Sequence, residues 1–306
     1  MWVVIAITGY FLLAITNTID KYLLSGPLLS PKVYSFFVGM LSVAAVLLIP
    51  FGVLEFPGAA TVLLAIGAGA VRVGALFVLF SGLRKFEVSR IVPALGGAAP
   101  IFTLILVFAL SGEREVFSGQ NFPAFVLLVA GSIGVTLERK ALVTVQSLLY
   151  AACAALLFSV FFVLAKFVYE AQSFLSGLVW IALGSFLASF VFLGFKEVRD
   201  TLHKLRSPKK RRRPAFQKLG VLVAGNQIIG GSAIFLQSLA VALVPFGLLP
   251  FVNALEGVTY FFLFVITLFL SLYFPSVLKE SSSPWSIAQK VISIILIGAG
   301  LALLAA

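Results

Sequence analysis

The sequence predicts an all-α membrane protein with ten transmembrane helices arranged as two inverted five-helix repeats. Three observations predict it. First, 61% of the 306 residues are hydrophobic and 11% charged, with mean hydropathy +1.15, whereas a soluble domain is nearer half apolar and about a quarter charged. Second, the apolar residues come in continuous runs of helix-spanning length instead of the alternation that a membrane barrel requires. Third, the basic residues follow a parity from one connection to the next, and the two halves of the chain match each other weakly but in order.

Charges, prolines and turn residues divide the runs into ten spans. The first, Trp2 to Tyr22, has no basic segment before it and no small-residue cleavage signal, so it reads as a retained helix. Val33 to Leu54 follows, then Ala59 to Leu83, Ser89 to Leu110 and a short fifth run, Phe122 to Leu137. The second half reads Val143 to Val168, Phe174 to Phe195, Leu219 to Ala242, a long ninth run from Pro245 to Phe274, and Trp285 to Leu304. Bilayer thinning or tilt accommodates the short and long members.

Apart from Arg72, Arg114, Lys166 and Lys290, every Lys and Arg lies in or at the rim of connections of one parity. The positive-inside rule makes that side cytoplasmic and puts both termini outside an inner cell membrane. The net charge of +11 is first an orientation signal. The basic loop, about residues 196–218, contains Lys209-Lys210-Arg211-Arg212-Arg213. No aromatic interleaving accompanies the run, so it predicts contact with anionic lipid headgroups and no nucleic acid.

The repeat is visible in register. At an offset of 145, Ile19-Asp20-Lys21 falls on Leu164-Ala165-Lys166 and Gly39 on Gly184. At 157, Ser81 falls on Ser238 and Pro93 on Pro250, the change of offset coinciding with the basic loop. The expected units are therefore 1–140 and 141–306. Five helices per unit is odd, so the units enter the membrane in opposite directions, the architecture of carriers that bind substrate near the midplane. Accidental similarity of two apolar bundles is the alternative.

The segment Glu87-Val-Ser-Arg-Ile-Val-Pro93-Ala-Leu-Gly-Gly-Ala-Ala-Pro100-Ile-Phe-Thr, with Leu110-Ser-Gly-Glu113-Arg after it, resembles EamA-type members of the drug/metabolite transporter superfamily. Asn17-Thr-Ile-Asp20-Lys21-Tyr and Pro275-Ser-Val-Leu-Lys279-Glu280, with Lys290 and Gly298 to Gly300, are similar to one bacterial subgroup. The resemblance spans the whole chain. It implies alternating-access export or exchange of small metabolites through a cavity lined mostly by helices other than the fifth and tenth. Such proteins usually keep both termini in the cytoplasm, the reverse of the orientation the charges predict here.

A charge at bilayer centre costs about 2.5 to 3.5 kcal/mol on insertion scales, so Arg72 in the third span and Glu256 in the ninth need a partner or a watery cavity. Either they pair, in a way that substrate or proton disrupts, or Arg72 holds a substrate carboxylate or phosphate while Glu256 carries a proton. A permanent structural ion pair is the competing reading. Asn253 and Tyr260 share a helical stripe with Glu256. In the eighth span Gln227, Gly230, Gly231, Ile234 and Ser238 share a face, with Asn226 and Gln237 beside it. Amides there bind substrate or bond between helices.

Lys21, with Asn17 one turn before it, and Lys166 at the matched repeat position either attract an anionic substrate or snorkel to the interface. Asp20, Tyr34 and Trp180 are weaker candidates. Pro100 is the place for a kink, serving gating or packing, whereas Pro93 and Pro250 fall in first turns. Gly298 with Ala302 has the spacing of a homodimer contact.

These readings converge on a secondary transporter of small polar metabolites such as amino acids or organic ions, with proton coupling as a further expectation. A nucleotide-sugar or phosphate exchanger is the alternative. An ion channel lacks a filter of repeated polar residues. A lipid-modifying enzyme lacks a nucleophile and base, because the one histidine, His203, is in the basic loop, and the one cysteine, Cys153, leaves no zinc cluster. No enzyme activity, metal or cofactor is expected, and no Walker motif supports ATP-driven transport.

Overall fold

The computed structural model describes residues 1–25, 30–86, 88–112, 115–136, 144–206, 214–273 and 284–305, and within them the chain is helical with no strand. In order, α1 is Trp2–Ser25, α2 Pro31–Leu41, α3 Ala59–Lys85, α4 Val88–Ser111, α5 Asn121–Thr136 and α6 Val145–Ala171. Then come α7 Phe174–Ser189, α8 Lys196–Arg206, α9 Pro214–Leu243, α10 Leu249–Ala254, α11 Glu256–Tyr273 and α12 Pro284–Ala305. Among the described residues eight helices are long and apolar enough to cross a membrane, where spans one to four and six to nine are expected. The fifth and tenth appear as shorter apolar helices, Asn121–Gly134 and Val291–Leu304. The protein is thus an all-α, multi-pass membrane protein. Large side chains such as Leu47, Val191, Val221 and Ile228 point outward, a surface suited to lipid and not to water.

Local chemistry explains the ends. The Ser30 hydroxyl caps α2 by accepting from Val33 N–H, and Pro31 occupies the first turn, where a missing N–H costs nothing. Thr144 and Ser147 close a reciprocal capping box at the start of α6. Beyond α2 the chain winds more tightly as a 3₁₀ segment, Ser42–Phe51, until Gly52, at φ 72°, stops it in a left-handed conformation.

Three elements depart from the expected layout. The basic loop opens with a real helix, α8, because Val198 and Leu202 are one turn apart and pack on the cluster formed by Val33, Tyr34 and Phe192. Lys32 Nζ donates to Glu197 Oε1 at 2.9 Å and fastens α8 to α2. The ninth span is divided, with α10 ending at Ala254 and α11 beginning at Glu256. Finally, α4 continues as one helix through Pro100.

Small residues set the closest packing. A Cβ at Gly69 of α3 would meet Ile181 O at 2.2 Å and Ser185 N at 2.4 Å, and one at Gly184 of α7 would meet Ile66 O at 2.4 Å. Backbone therefore touches backbone where α3 crosses α7, and Ser185 Oγ donates to Gly69 O there at 3.1 Å. The α5 and α12 pair is similar: a Cβ at Gly131 would meet Ser293 O at 2.8 Å, and one at Gly300 would meet Ala124 O at 3.0 Å. Gly298 and Ala302 lie on the exposed side of α12. The other main helix contacts join α1 to α9, α3 and α4 to α6, and α10 to α4.

Candidate functional site

Arg72 is the central residue of α3, about 20 Å from either end at 1.5 Å per residue. With α3 locked to α7 at Gly69, the guanidinium reaches toward α6 and sits over the Phe161 ring, its Cζ 6.0 Å from the ring centroid. The ion pairs among the described residues are Lys32 with Glu197 and Lys166 with Glu170, so Arg72 faces no carboxylate there. The pairing of Arg72 with Glu256 allowed by the sequence is not formed. Glu256 opens α11, has a partner of its own, and acts electrostatically on the Tyr10 phenol.

A second aromatic completes the surroundings of Arg72. Tyr169, near the end of α6, is close enough to interact electrostatically with the guanidinium. The residue is 8% exposed, and among the described residues its hydroxyl completes no hydrogen bond, although Ser238 of α9 is within reach of it. Its position is fixed by packing. The ring lies 5.3 Å from that of Phe174, and Gly177 makes room, since a Cβ there would come within 2.9 Å of Tyr169 Cδ1. A buried hydroxyl without a partner costs about 1 to 3 kcal/mol. The guanidinium, backed by the Phe161 ring, and the Tyr169 phenol together can donate to a carboxylate or phosphate.

Lys166 has a different position from the snorkelling one. It is buried at 4% exposure, donates to Ala242 O of α9 at 3.1 Å and pairs with Glu170 at 3.3 Å. Asn253 is also committed to structure: its amide donates to Thr103 Oγ1 at 2.5 Å and ties α10 to α4. Beside it, Tyr10 Oη donates to Val252 O at 2.5 Å. Asn17 is half-buried on α1. The side chains of Lys21 and Tyr260 lie outside the described residues.

A further polar cluster forms where α1, α2 and α9 meet. Asp20 Oδ1 accepts from the Tyr34 hydroxyl and, at 2.5 Å, from Asn226 Nδ2. Asn226 Nδ2 is also 3.3 Å from Tyr34 Oη. The Tyr34 ring packs on Phe80, and Gln227 stands close to its hydroxyl. The inward side of α9 carries Asn226, Ala233, Ser238 and Ala240, while Gly231 faces out.

Sequence reasoning singled out Arg72 but not Tyr169. The available signal was its place one turn after Lys166. It ranked Asp20 and Tyr34 low and set Asn226 beside the favoured face, because each is ordinary alone and their convergence is tertiary.

No family model matches the chain, and no curated protein does. Among solved structures, one crystal structure of a protein aligns with a TM-score of 0.64 and 16% identity over 99% of this chain and 94% of that one. Identity that low shows a shared fold over nearly the full length of both chains.

Proposed function

We propose that the chain is a secondary carrier of small polar metabolites with an anionic group, such as amino acids or organic ions, working by alternating access. In this reading ten spans form two inverted repeats, 1–140 and 141–306, with the α8 side in the cytoplasm by its basic residues. The helix contacts support the repeat. The first helix of each half packs on the third helix of the other, α1 on α9 and α6 on α3, while α5 meets α12 and α4 meets α10. A twofold exchange of the halves produces such reciprocal pairs. The divided ninth span and the motif resemblance to EamA-type drug/metabolite transporters point the same way.

The observation that carries the proposal is Arg72 at the middle of α3, between Phe161 and Tyr169 and facing no carboxylate among the described residues. An intramembrane cation without a protein counter-ion is costly to keep, and an anionic cargo supplies the counter-ion. A phosphate exchanger uses the same guanidinium, since its fork fits phosphate as well as carboxylate.

The test is a thermal-stability screen of purified protein against amino acids, dicarboxylates, nucleotides and sugar phosphates. A ligand at about 100 times its Kd adds about 2.7 kcal/mol to the folded state. At least one anion is expected to stabilise the protein and to lose its effect in Arg72→Gln. Stabilisation that is equal in both proteins refutes the role of Arg72.

A further inference from the structure

We propose that Asp20 is a proton-binding site, and that proton loading there releases the contact between α2 and α9. The inference rests on the carrier reading, because a carrier needs one side of its cleft to close and open.

The two inter-repeat crossings that the proposed symmetry relates are built differently. At one, α3 and α7 meet backbone to backbone through Gly69 and Gly184. The other, between α2 and α9, is a meeting of side chains among the described residues. Tyr34 reaches Asn226, and Leu222 and Val223 rest on the cluster around Val33. A contact of backbones is permanent until whole helices part. One made through a carboxylate depends on its charge.

Asp20 is the common acceptor of that second crossing, taking bonds from Tyr34 of α2 and Asn226 of α9 on a single oxygen. Both donors are neutral, so the carboxylate is held without a counter-ion among the described residues. On α2, Lys32 is engaged with Glu197. On α3, Lys85 donates to Tyr150 and Arg84 acts on Glu197. The charged residues Arg199 and Asp200, with His203, lie on the exposed surface of α8, and Gly220 to Leu243 of α9 has no ionisable side chain. The neighbouring Lys21 has its side chain outside the described residues.

A second observation points to the proton. Asn226 is 3% exposed, and its Oδ1 accepts no hydrogen bond among the described residues. The ionised carboxylate has no hydrogen to offer it. When a proton adds to a carboxylate oxygen of Asp20, the new O–H becomes a donor, and reversal of the Asn226 amide turns its carbonyl oxygen toward that donor. Asp20 of α1 then donates to Asn226 instead of accepting from it, the Asn226 Nδ2 that reached Tyr34 of α2 is turned away, and the charge that drew both donors is gone. No covalent bond other than the new O–H forms or breaks.

The experiment needs no transported substrate. With Cys153 replaced by serine, spin labels at Leu41→Cys on α2 and Val221→Cys on α9, both exposed positions outside the cluster, report the separation of the helices in nanodiscs. Between about pH 9 and about pH 3, a range that brackets ordinary carboxyl titration near about 3.9, the ratio of close to separated populations is expected to fall by about tenfold. Asp20→Asn should show the separated population at both values, and Tyr34→Phe less of the close one at the basic value. Infrared difference spectra between the same two pH values should contain a protonated-carboxyl band that Asp20→Asn removes, a readout that stands even if a labelled variant folds poorly. An unchanged distance distribution, or a pH response that survives Asp20→Asn, overturns the proposal. Either result leaves the Arg72-dependent ligand effect intact, so failure here and failure of the carrier reading are separable.

Discussion

Replacing Gly69 by alanine tests the closest feature of the packing. The new Cβ would sit 2.2 Å from Ile181 O, 2.4 Å from Ser185 N and 2.8 Å from Gly184 C, where ordinary contact begins at 3.4 Å. None of these atoms is the end of a flexible side chain, so α3 and α7 must part by about 1 Å, and a gap of that size forfeits up to about half of each lost contact. Overpacking costs about 1 to 3 kcal/mol, and loss of the Ser185 to Gly69 hydrogen bond about 1 kcal/mol more. The predicted loss is about 2 to 4 kcal/mol. Gly67→Ala and Gly74→Ala are matched controls in the same helix, because a Cβ at either meets nothing within 4 Å. Equilibrium unfolding in mixed micelles measures all three, and helix propensity cancels in the comparison. If Gly69→Ala unfolds within about 0.5 kcal/mol of the controls, the backbone contact between α3 and α7 is not there.

Other predictions concern single contacts. Tyr169→Phe removes a buried hydroxyl that completes no hydrogen bond among the described residues, so thermal unfolding should show stability unchanged or raised by about 1 kcal/mol, while anion binding measured by ligand stabilisation weakens. A purely structural tyrosine would lose stability and leave binding alone. Asn253→Ala removes the hydrogen bond from the α10 amide to Thr103 of α4, whose hydroxyl keeps its own bond to Ala99 O, for a predicted cost of about 1 to 2 kcal/mol by unfolding in mixed micelles. The hydrogen bond from Lys32 holds the Glu197 carboxyl below its ordinary range. A depressed value means the contribution is present above the unfolded pKa and fades as pH falls through the folded one, so α8 should loosen only below about pH 4. Glu197 is about half exposed, and the effect should stay under about 1 kcal/mol, read by hydrogen exchange of α8 amides in parent and Glu197→Gln.

The all-α membrane class was legible because it is written in bulk properties: long, continuous apolar runs need a bilayer and the helices that cross it. α8 was not, since Lys196-Glu-Val-Arg-Asp-Thr-Leu is too polar to stand out among apolar spans, and the surface on which its two apolar residues, Val198 and Leu202, rest exists only after folding. The division of the ninth span at Leu255 has no proline or glycine of its own to announce it. At the candidate site, Arg72 stood out because a guanidinium in an apolar run carries a known cost. Tyr169 did not, because its interest lies in a hydrogen bond it fails to make. Lys166 read as a mouth or interfacial lysine for want of any sequence trace of the Ala242 carbonyl that receives it.

The most direct measurement is counterflow in proteoliposomes, using the anion found to stabilise the purified protein. A saturable uptake that accelerates with unlabelled anion inside, and that Arg72→Gln abolishes without unfolding the protein, is the predicted result. Uptake that rises without saturation, or exchange that proceeds undiminished in Arg72→Gln, would contradict a carrier built around that guanidinium.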